Sequence, residues 1–240
     1  MTLSEGEIGA VLAALARTGG LVATAPVIGD QGISVRARMV FVIAVAFLVG
    51  INRPPVPFAE VPLAIVVELA VGLVTGLVAR FVMSHVAIAG QLMGLSLGLG
   101  FAAQYDVHAG ESAGTLRTLV TTIASLAFLA VGGLEAVVKS VAVAPAHVGQ
   151  LAALGPELLA AGTSAFGRGL ALAAPIVLAA LAGNIALAVM NRATPAVNVF
   201  SIALAAVLIL GGLVLLASAA HLVAGTTDAA HEAIGVLLGR

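Results

Sequence analysis

The sequence predicts an all-α protein of the integral-membrane type, and three observations carry that reading. Apolar residues make up 61% of the 240-residue chain and charged residues only 9%. A water-soluble domain carries roughly 25% charged residues, so this chain cannot clothe a water-facing surface of its own. Mean hydropathy is +1.20, and the apolar residues fall in about seven long runs separated by short polar or proline-rich breaks. Glycine recurs inside one run at Gly90, Gly94 and Gly98, a spacing that puts all three on one side of a helix. Each glycine costs a helix about 1 kcal/mol against alanine in water. The pattern therefore points to helices approaching one another closely, as in membranes and large assemblies, and predicts that a side chain at Gly94 would obstruct that approach.

The first apolar run, residues 8–28, follows Glu5 and Glu7 and carries Arg17 at its middle. A cleavable signal peptide starts basic, so a retained helix is expected here. A turn-like stretch with Asp30, Arg36 and Arg38 leads to a short run, 39–52. Residues 53–62 hold Pro54, Pro55, Pro57 and Pro62, too many for a helix, and predict a stiff extended linker. Runs 63–84 and 86–105 follow with His85 between them, read as marking their boundary. A polar loop, 104–114, leads to run 115–138. The mixed stretch 139–168, with Pro145 and Pro156, predicts a short helix or two, and runs 169–191 and 197–223 close the chain around Thr194-Pro195.

A helix needs about 20 apolar residues to cross a bilayer. Segments 86–105, 169–191 and 193–220 have that length without a charged residue, whereas 39–52 falls short. Run 63–84 is long enough but contains Glu68 and Arg80. A charge at mid-membrane costs roughly 2.5–3.5 kcal/mol on the more lenient scale, so both are read as buried charges facing protein or a wet cavity.

The net charge of −1, from ten scattered basic residues of which Lys139 alone is lysine, offers no basic face for nucleic acid. The absence of cysteine excludes disulfides, thiol nucleophiles and thiolate metal sites. Gly94-Leu95-Ser96-Leu97-Gly98 matches G-x-S-x-G, but a nucleophile elbow needs a strand, a sharp turn and a helix. An intramembrane hydrolase using Ser96 therefore ranks below a packing residue with a back-bonded hydroxyl. Asp106, His108 and Glu111 have donors suited to a hard metal, yet their spacing fits no known site and predicts a solvated loop. His221, His231 and Glu232 are read as a helix emerging into water, and Glu135 with Lys139 as an i,i+4 surface ion pair. No metal, cofactor or catalytic residue is assigned. Glu68 stands apart, because an acid inside an apolar helix is a functional candidate by default. Arg17, Arg80 and Arg117 could neutralise it, and a small multi-spanning ion-coupled transporter using Glu68 is the alternative reading of the chain.

Two motifs now identify a family. Ala89-Gly90-Gln91, Gly94, Gly98-Leu99-Gly100-Phe101-Ala102 and Asp106 resemble the AGQ…GLGFA…D signature of the FliR family of flagellar export proteins, shared with the T subunit of virulence type III secretion. Arg192-Ala193-Thr194-Pro195-Ala196-Val197-Asn198-Val199-Phe200-Ser201-Ile202 is similar to the family's R-A-x-P-x-x-N-x-F-x-I. Phe128-Leu129 with Gly132-Gly133, and Pro26, Gly29 and Arg36-x-Arg38, add weaker matches. Val107 stands where the family usually has proline, and Leu134 where a histidine is common.

The resemblance implies a non-enzymatic subunit of a type III export gate, most simply flagellar. It implies a multi-pass protein of the bacterial inner membrane at the flagellar basal body. Its partners would be FliP-like and FliQ-like subunits, other export-apparatus membrane proteins, membrane lipid, and unfolded substrates in transit. Residues 1–165 would be the FliP-like part, with the glycine seam. Residues 166–240 would be the FliQ-like hairpin, with Arg192, Pro195, Asn198 and Phe200 at its turn and a short tail after it. Loop 104–114, with Gln104, Tyr105, Asp106, Val107, His108, Gly110 and Glu111, corresponds to the pore plug. Asn198 stands where its amide would cap the last apolar helix. Asn198→Leu is expected to cost about 1 kcal/mol at that cap, read as a lower melting midpoint of the assembled protein; an unchanged midpoint would remove the capping role.

Overall fold

The computed structural model describes residues 4–30, 32–98, 114–142, 145–193 and 199–239. Among these the chain is helical, without strands. The described residues hold eight α-helices in order: α1 (Glu5–Thr24), α2 (Val35–Gly50), α3 (Val61–Ser96), α4 (Thr115–Ala130), α5 (Gly133–Ala142), α6 (Val148–Ala193), α7 (Val199–Ala217) and α8 (Ala219–Leu237). The helix α1 opens on a capping box: Ser4 accepts from the Glu7 amide, and Glu7 accepts from the Ser4 amide at 2.7 Å.

Several segments differ from the sequence expectation. The runs 63–84 and 86–105 form one helix, α3, and His85 is a buried residue inside it rather than a boundary. Nothing between Ser84 and Val86 breaks a helix, so polarity alone could not stop it. The mixed stretch from Val148 onward joins run 169–191 as the 46-residue α6. Pro156 and Pro175 both lie inside it. Each proline removes one backbone hydrogen bond, a loss that apolar surroundings tolerate when neighbours satisfy the freed carbonyl. The run 115–138 is broken at Val131–Gly132, where Gly132 takes φ +90 and α4 and α5 meet at 58°. The final run bends by 59° at Ser218 and continues as α8, so residues 224–237 are helix where a tail was expected.

Among the described residues three helical stretches, Glu5–Thr24, Phe58–Ser96 and Val148–Ala193, are long and apolar enough to cross a bilayer, and five if each bent pair counts as one span. The helix α2 has 16 residues and is not among them. At 1.5 Å per residue, α3 with 36 residues is about 54 Å long. That exceeds the roughly 30 Å hydrocarbon core.

The chain divides into two compact units. The first comprises residues 1–83, 125–164 and 230–240, the second 84–124 and 165–229. The core of the first unit gathers Leu21, Val45, Val82, Phe128, Val137 and Leu237, one from each of six helices. Gly133 makes room for the fully buried Phe128 ring: a Cβ there would strike it. The Gly132-Gly133 pair therefore has two separate jobs, a left-handed turn and a space for an aromatic ring.

Close backbone approach is concentrated between α1 and α3. A Cβ at Gly20 would lie 2.6 Å from the Leu69 carbonyl oxygen, and Gly72 and Gly76 press equally hard on Arg17 and Thr24. Thr24 Oγ1 bridges the same contact, donating to the Leu73 carbonyl at 2.9 Å. In the second unit, a Cβ at Gly90 would lie 2.6 Å from the Arg117 Cα. A Cβ at Gly94 would come no nearer than 4.0 Å to any described residue, the Leu116 Cβ, and Gly98 lies past the helix with φ +73. A Cβ at Gly94 therefore finds room among the described residues, where the spacing predicts obstruction. Gly98 serves as the left-handed stop that ends α3. We expect Gly20→Leu and Gly90→Leu each to lower the melting midpoint in detergent by the equivalent of about 1–3 kcal/mol, with Gly94→Leu affected least; equal midpoints for all three would refute the assignment of close approach.

Candidate functional site

The site grows from one acid that the fold cannot leave alone. Glu68 lies in the second turn of α3 and is 2% exposed. An ionised carboxylate in such a place must be paired and hydrogen-bonded. Three donors meet it. Arg53 Nη1 donates to one carboxylate oxygen at 2.8 Å and the Ala146 amide donates to the same oxygen at 3.0 Å. Arg17 Nη1 donates to the other oxygen at 3.4 Å. Arg53 also donates through Nη2 to the Val141 carbonyl at 2.6 Å. Both arginine side chains are 6% exposed.

Four stretches of chain converge here: the middle of α1, the proline-rich linker, α3, and the connection between α5 and α6. All belong to the first unit. At an effective dielectric near 20 the two attractions amount to about 6 and 5 kcal/mol. Desolvation of three ions and repulsion between the two guanidinium groups oppose them, so the net stabilisation of such a cluster is small. What it supplies is position. The Arg53 fork must reach a carboxylate on α3 and a carbonyl at the end of α5 together, and that fixes the linker against both.

The other residues singled out by sequence have separate surroundings. Arg80 pairs with Asp30 at 2.6 Å, with 42% of its side chain exposed, so it is not the buried partner expected beside Glu68. Its position places it near the turn after α1, where Asp30 is the acid in reach. Arg117 presses its backbone on Gly90 in the second unit. Ser96 donates its hydroxyl to the Leu92 carbonyl at 2.7 Å near the end of α3, a helical back-bond and not the geometry of a nucleophile elbow. Glu135 and Lys139 form the expected exposed i,i+4 pair at 2.7 Å. Among the described residues no group of three or more acidic or histidine side chains could hold a metal. The plug-type residues 104–111 and the hairpin residues Pro195 and Asn198 lie outside the described residues. Arg192 is exposed near the end of α6, and Phe200 falls in the first turn of α7.

Sequence reasoning found Glu68 and Arg17 but missed Arg53. A run of prolines reads as solvated linker, and an arginine at its head reads as solvated with it. The available signal was arithmetic: with only ten basic residues in the chain, an arginine beside an apolar helix deserved weighing as a partner for a buried acid.

Comparison with known proteins places the chain. Residues 8–233 match the bacterial export proteins, family 1. The chain belongs to that family. It is 29% identical over 235 residues to the flagellar biosynthetic protein FliR of Caulobacter vibrioides, covering 92% of each chain. It is 32% identical over 193 residues to FliR of Aquifex aeolicus, covering 77% of this chain and 74% of that one. Against FliR of Escherichia coli K12 the figures are 27% over 204 residues, with 78% and 76% covered. The family match spans Arg17, Arg53 and Glu68 as well as both sequence motifs.

Removing one member of a buried cluster strands the others, which typically costs about 3–5 kcal/mol. Glu68→Gln keeps the volume and leaves two buried arginines without their counter-ion. Its melting midpoint in detergent should fall accordingly, and the chain should accumulate less in the membrane; a midpoint matching the parent's would show that the cluster does not hold this unit together.

Proposed function

We propose that this chain is a subunit of the flagellar protein-export gate, a multi-pass protein of the bacterial inner membrane at the flagellar basal body. It forms part of the channel that passes unfolded proteins, together with FliP-like and FliQ-like subunits. Residues 1–165 supply the FliP-like part and residues 166–240 the FliQ-like hairpin. The observation that carries this reading is the family match over residues 8–233, with relatives named for flagellar biosynthesis that align over most of their length.

The geometry is compatible with a non-enzymatic role in an assembly. Large apolar side chains stand exposed along α6, among them Leu159, Phe166, Leu178 and Val189, more than a lone chain in water leaves uncovered. Among the described residues the side of Gly94 is open, as a surface for a second helix must be. A carboxylate held by two guanidinium groups and an amide is committed as a structural acceptor. That arrangement favours a clamp over the ion-coupled transport that an isolated Glu68 would suggest.

Loop 104–114 is the pore seal in this reading. An export pore excludes ions when idle and passes a chain when active, so its closure rests on reversible contacts. Glycines at Gly110 and Gly114 let such a loop reposition. The test uses a tagged full chain and a variant with residues 107–112 shortened, expressed with the rest of the apparatus. Both should co-purify with FliP-like and FliQ-like chains, and only the shortened one should raise ion conductance and salt sensitivity. Failure of the parent to bring down those partners would overturn the gate assignment; a shortened gate as tight as the parent would overturn the seal.

A further inference from the structure

The corner between α1 and α2 carries a backbone conformation that its residue disfavours. Val27 takes φ +65, the one positive φ outside glycine among the described residues. The Ile28 amide donates to the Pro26 carbonyl at 2.7 Å, closing a three-residue turn about Val27. With positive φ this is the rarer and strained of the two forms of γ-turn. For a β-branched side chain it is a clear outlier. Gly29, two residues on, would adopt that φ freely, but it serves a close approach instead: a Cβ there would lie 2.6 Å from the Ala25 carbonyl oxygen.

Strain of this kind persists only where the surroundings over-determine it. Ala25 and Ile28, on either side of the turn, are buried in the first unit. Asp30, at its end, is gripped twice: its backbone carbonyl accepts from Arg38 of α2, and its carboxylate pairs with Arg80 of α3 at 2.6 Å. Arg38 makes that reach while its buried Nε–H finds no acceptor among the described residues. Of these restraints the Asp30–Arg80 pair is the one open to solvent, its side chains 49% and 42% exposed. An exposed ion pair is also the weakest kind of restraint.

The start of α2 has room to move. A gap of about 360 Å³ separates it from α1, with Gly19, Val22 and Ala23 on one wall and Val35, Met39 and Ile43 on the other. Those three α2 residues are each about 60% exposed, so closing the gap removes apolar surface from solvent. A Cβ at Gly19 would meet nothing within 4 Å. The far end of the same helix pair is pinned, since a Cβ at Gly50 would lie 2.6 Å from the Val11 Cα.

We propose that the α1–α2 corner is a cocked catch. The exposed Asp30–Arg80 pair holds Val27 in its strained turn, and release of that pair lets the turn relax and the start of α2 close on α1. The trigger is ionic: salt, or a carboxylate that a neighbouring chain presents to Arg80, displaces Asp30.

The chain has no cysteine, so spin labels on Leu15→Cys and Val40→Cys, both exposed positions, report the distance between α1 and α2 in the purified full chain. Asp30→Asn should raise the population at shorter distance about two- to fivefold, the worth of an exposed ion pair. Raised salt should do the same to the parent. Arg80→Gln should match Asp30→Asn and stands in for it if that variant does not fold. Adding Val27→Gly to Asp30→Asn should return the parent's distances, because glycine holds the turn without strain. In thermal unfolding Val27→Gly should melt above Val27→Ala, since both lose the packing of the valine and glycine relieves the backbone more. Distances unmoved by both charge variants, a shift that Val27→Gly does not reverse, or a Val27→Gly midpoint at or below that of Val27→Ala would each overturn the proposal.

Discussion

Burying a carboxylate in a chain with so few charges sets a demand that the rest of the first unit answers. Glu68 is 2% exposed and needs counter-ions from elsewhere in the sequence. The fold brings Arg17 from α1 and Arg53 from the proline-rich linker, and Arg53 in turn holds the Val141 carbonyl at the end of α5. Once those contacts are made, α1, the linker, α3 and the α5–α6 connection have little freedom to slide. Apolar helices pack against one another with weak directional preference, because one greasy register resembles the next. A buried ionic cluster is directional, since its partners must meet at hydrogen-bond distance. We take registry of helices to be its contribution here, consistent with the small net energy expected of such clusters.

Glycine supplies the complementary device. Gly20, Gly72 and Gly76 let α1 and α3 approach until backbone meets backbone, and dispersion contacts at that range add up without any polar group. The same residue type does different work at Gly132, where the backbone turns left-handed, and at Gly133, where it yields space to Phe128.

Much of this was legible in the sequence, and the remainder was hidden for identifiable reasons. Composition and apolar runs disclosed an all-helical, membrane-type chain, and the motifs around Gly90 and Arg192 disclosed the family. The Glu68–Arg17 pairing was within reach, since both are charges inside apolar helices. Helix ends were the weakest part. Polarity at His85 suggested a break that the backbone had no reason to make, whereas glycine at Gly132 made one inside an apolar run. Pro156 suggested a stop, yet α6 runs through it. Spacing alone could not say which glycines touch a neighbour: among the described residues Gly90 does, Gly94 has room, and Gly98 ends the helix. Those distinctions depend on where a second helix lies, which no single-helix pattern records.

The core of the first unit is assembled from pieces far apart in the chain, and this has a consequence for how cells make the protein. Leu21 and Val45 near the beginning share that core with Ala230, Ala233 and Leu237 of α8. Ribosomes extend a chain at about 5–20 residues per second and domains ordinarily close as they emerge. Here Leu21 and Val45 wait for α8 to be translated before their apolar wall is complete. During that interval the nascent chain displays an unfinished surface, which chaperones and membrane proteases are equipped to recognise. A chain cut short before α8 lacks Ala230, Ala233 and Leu237, and so leaves the apolar side chains of α1 and α2 facing an incomplete wall.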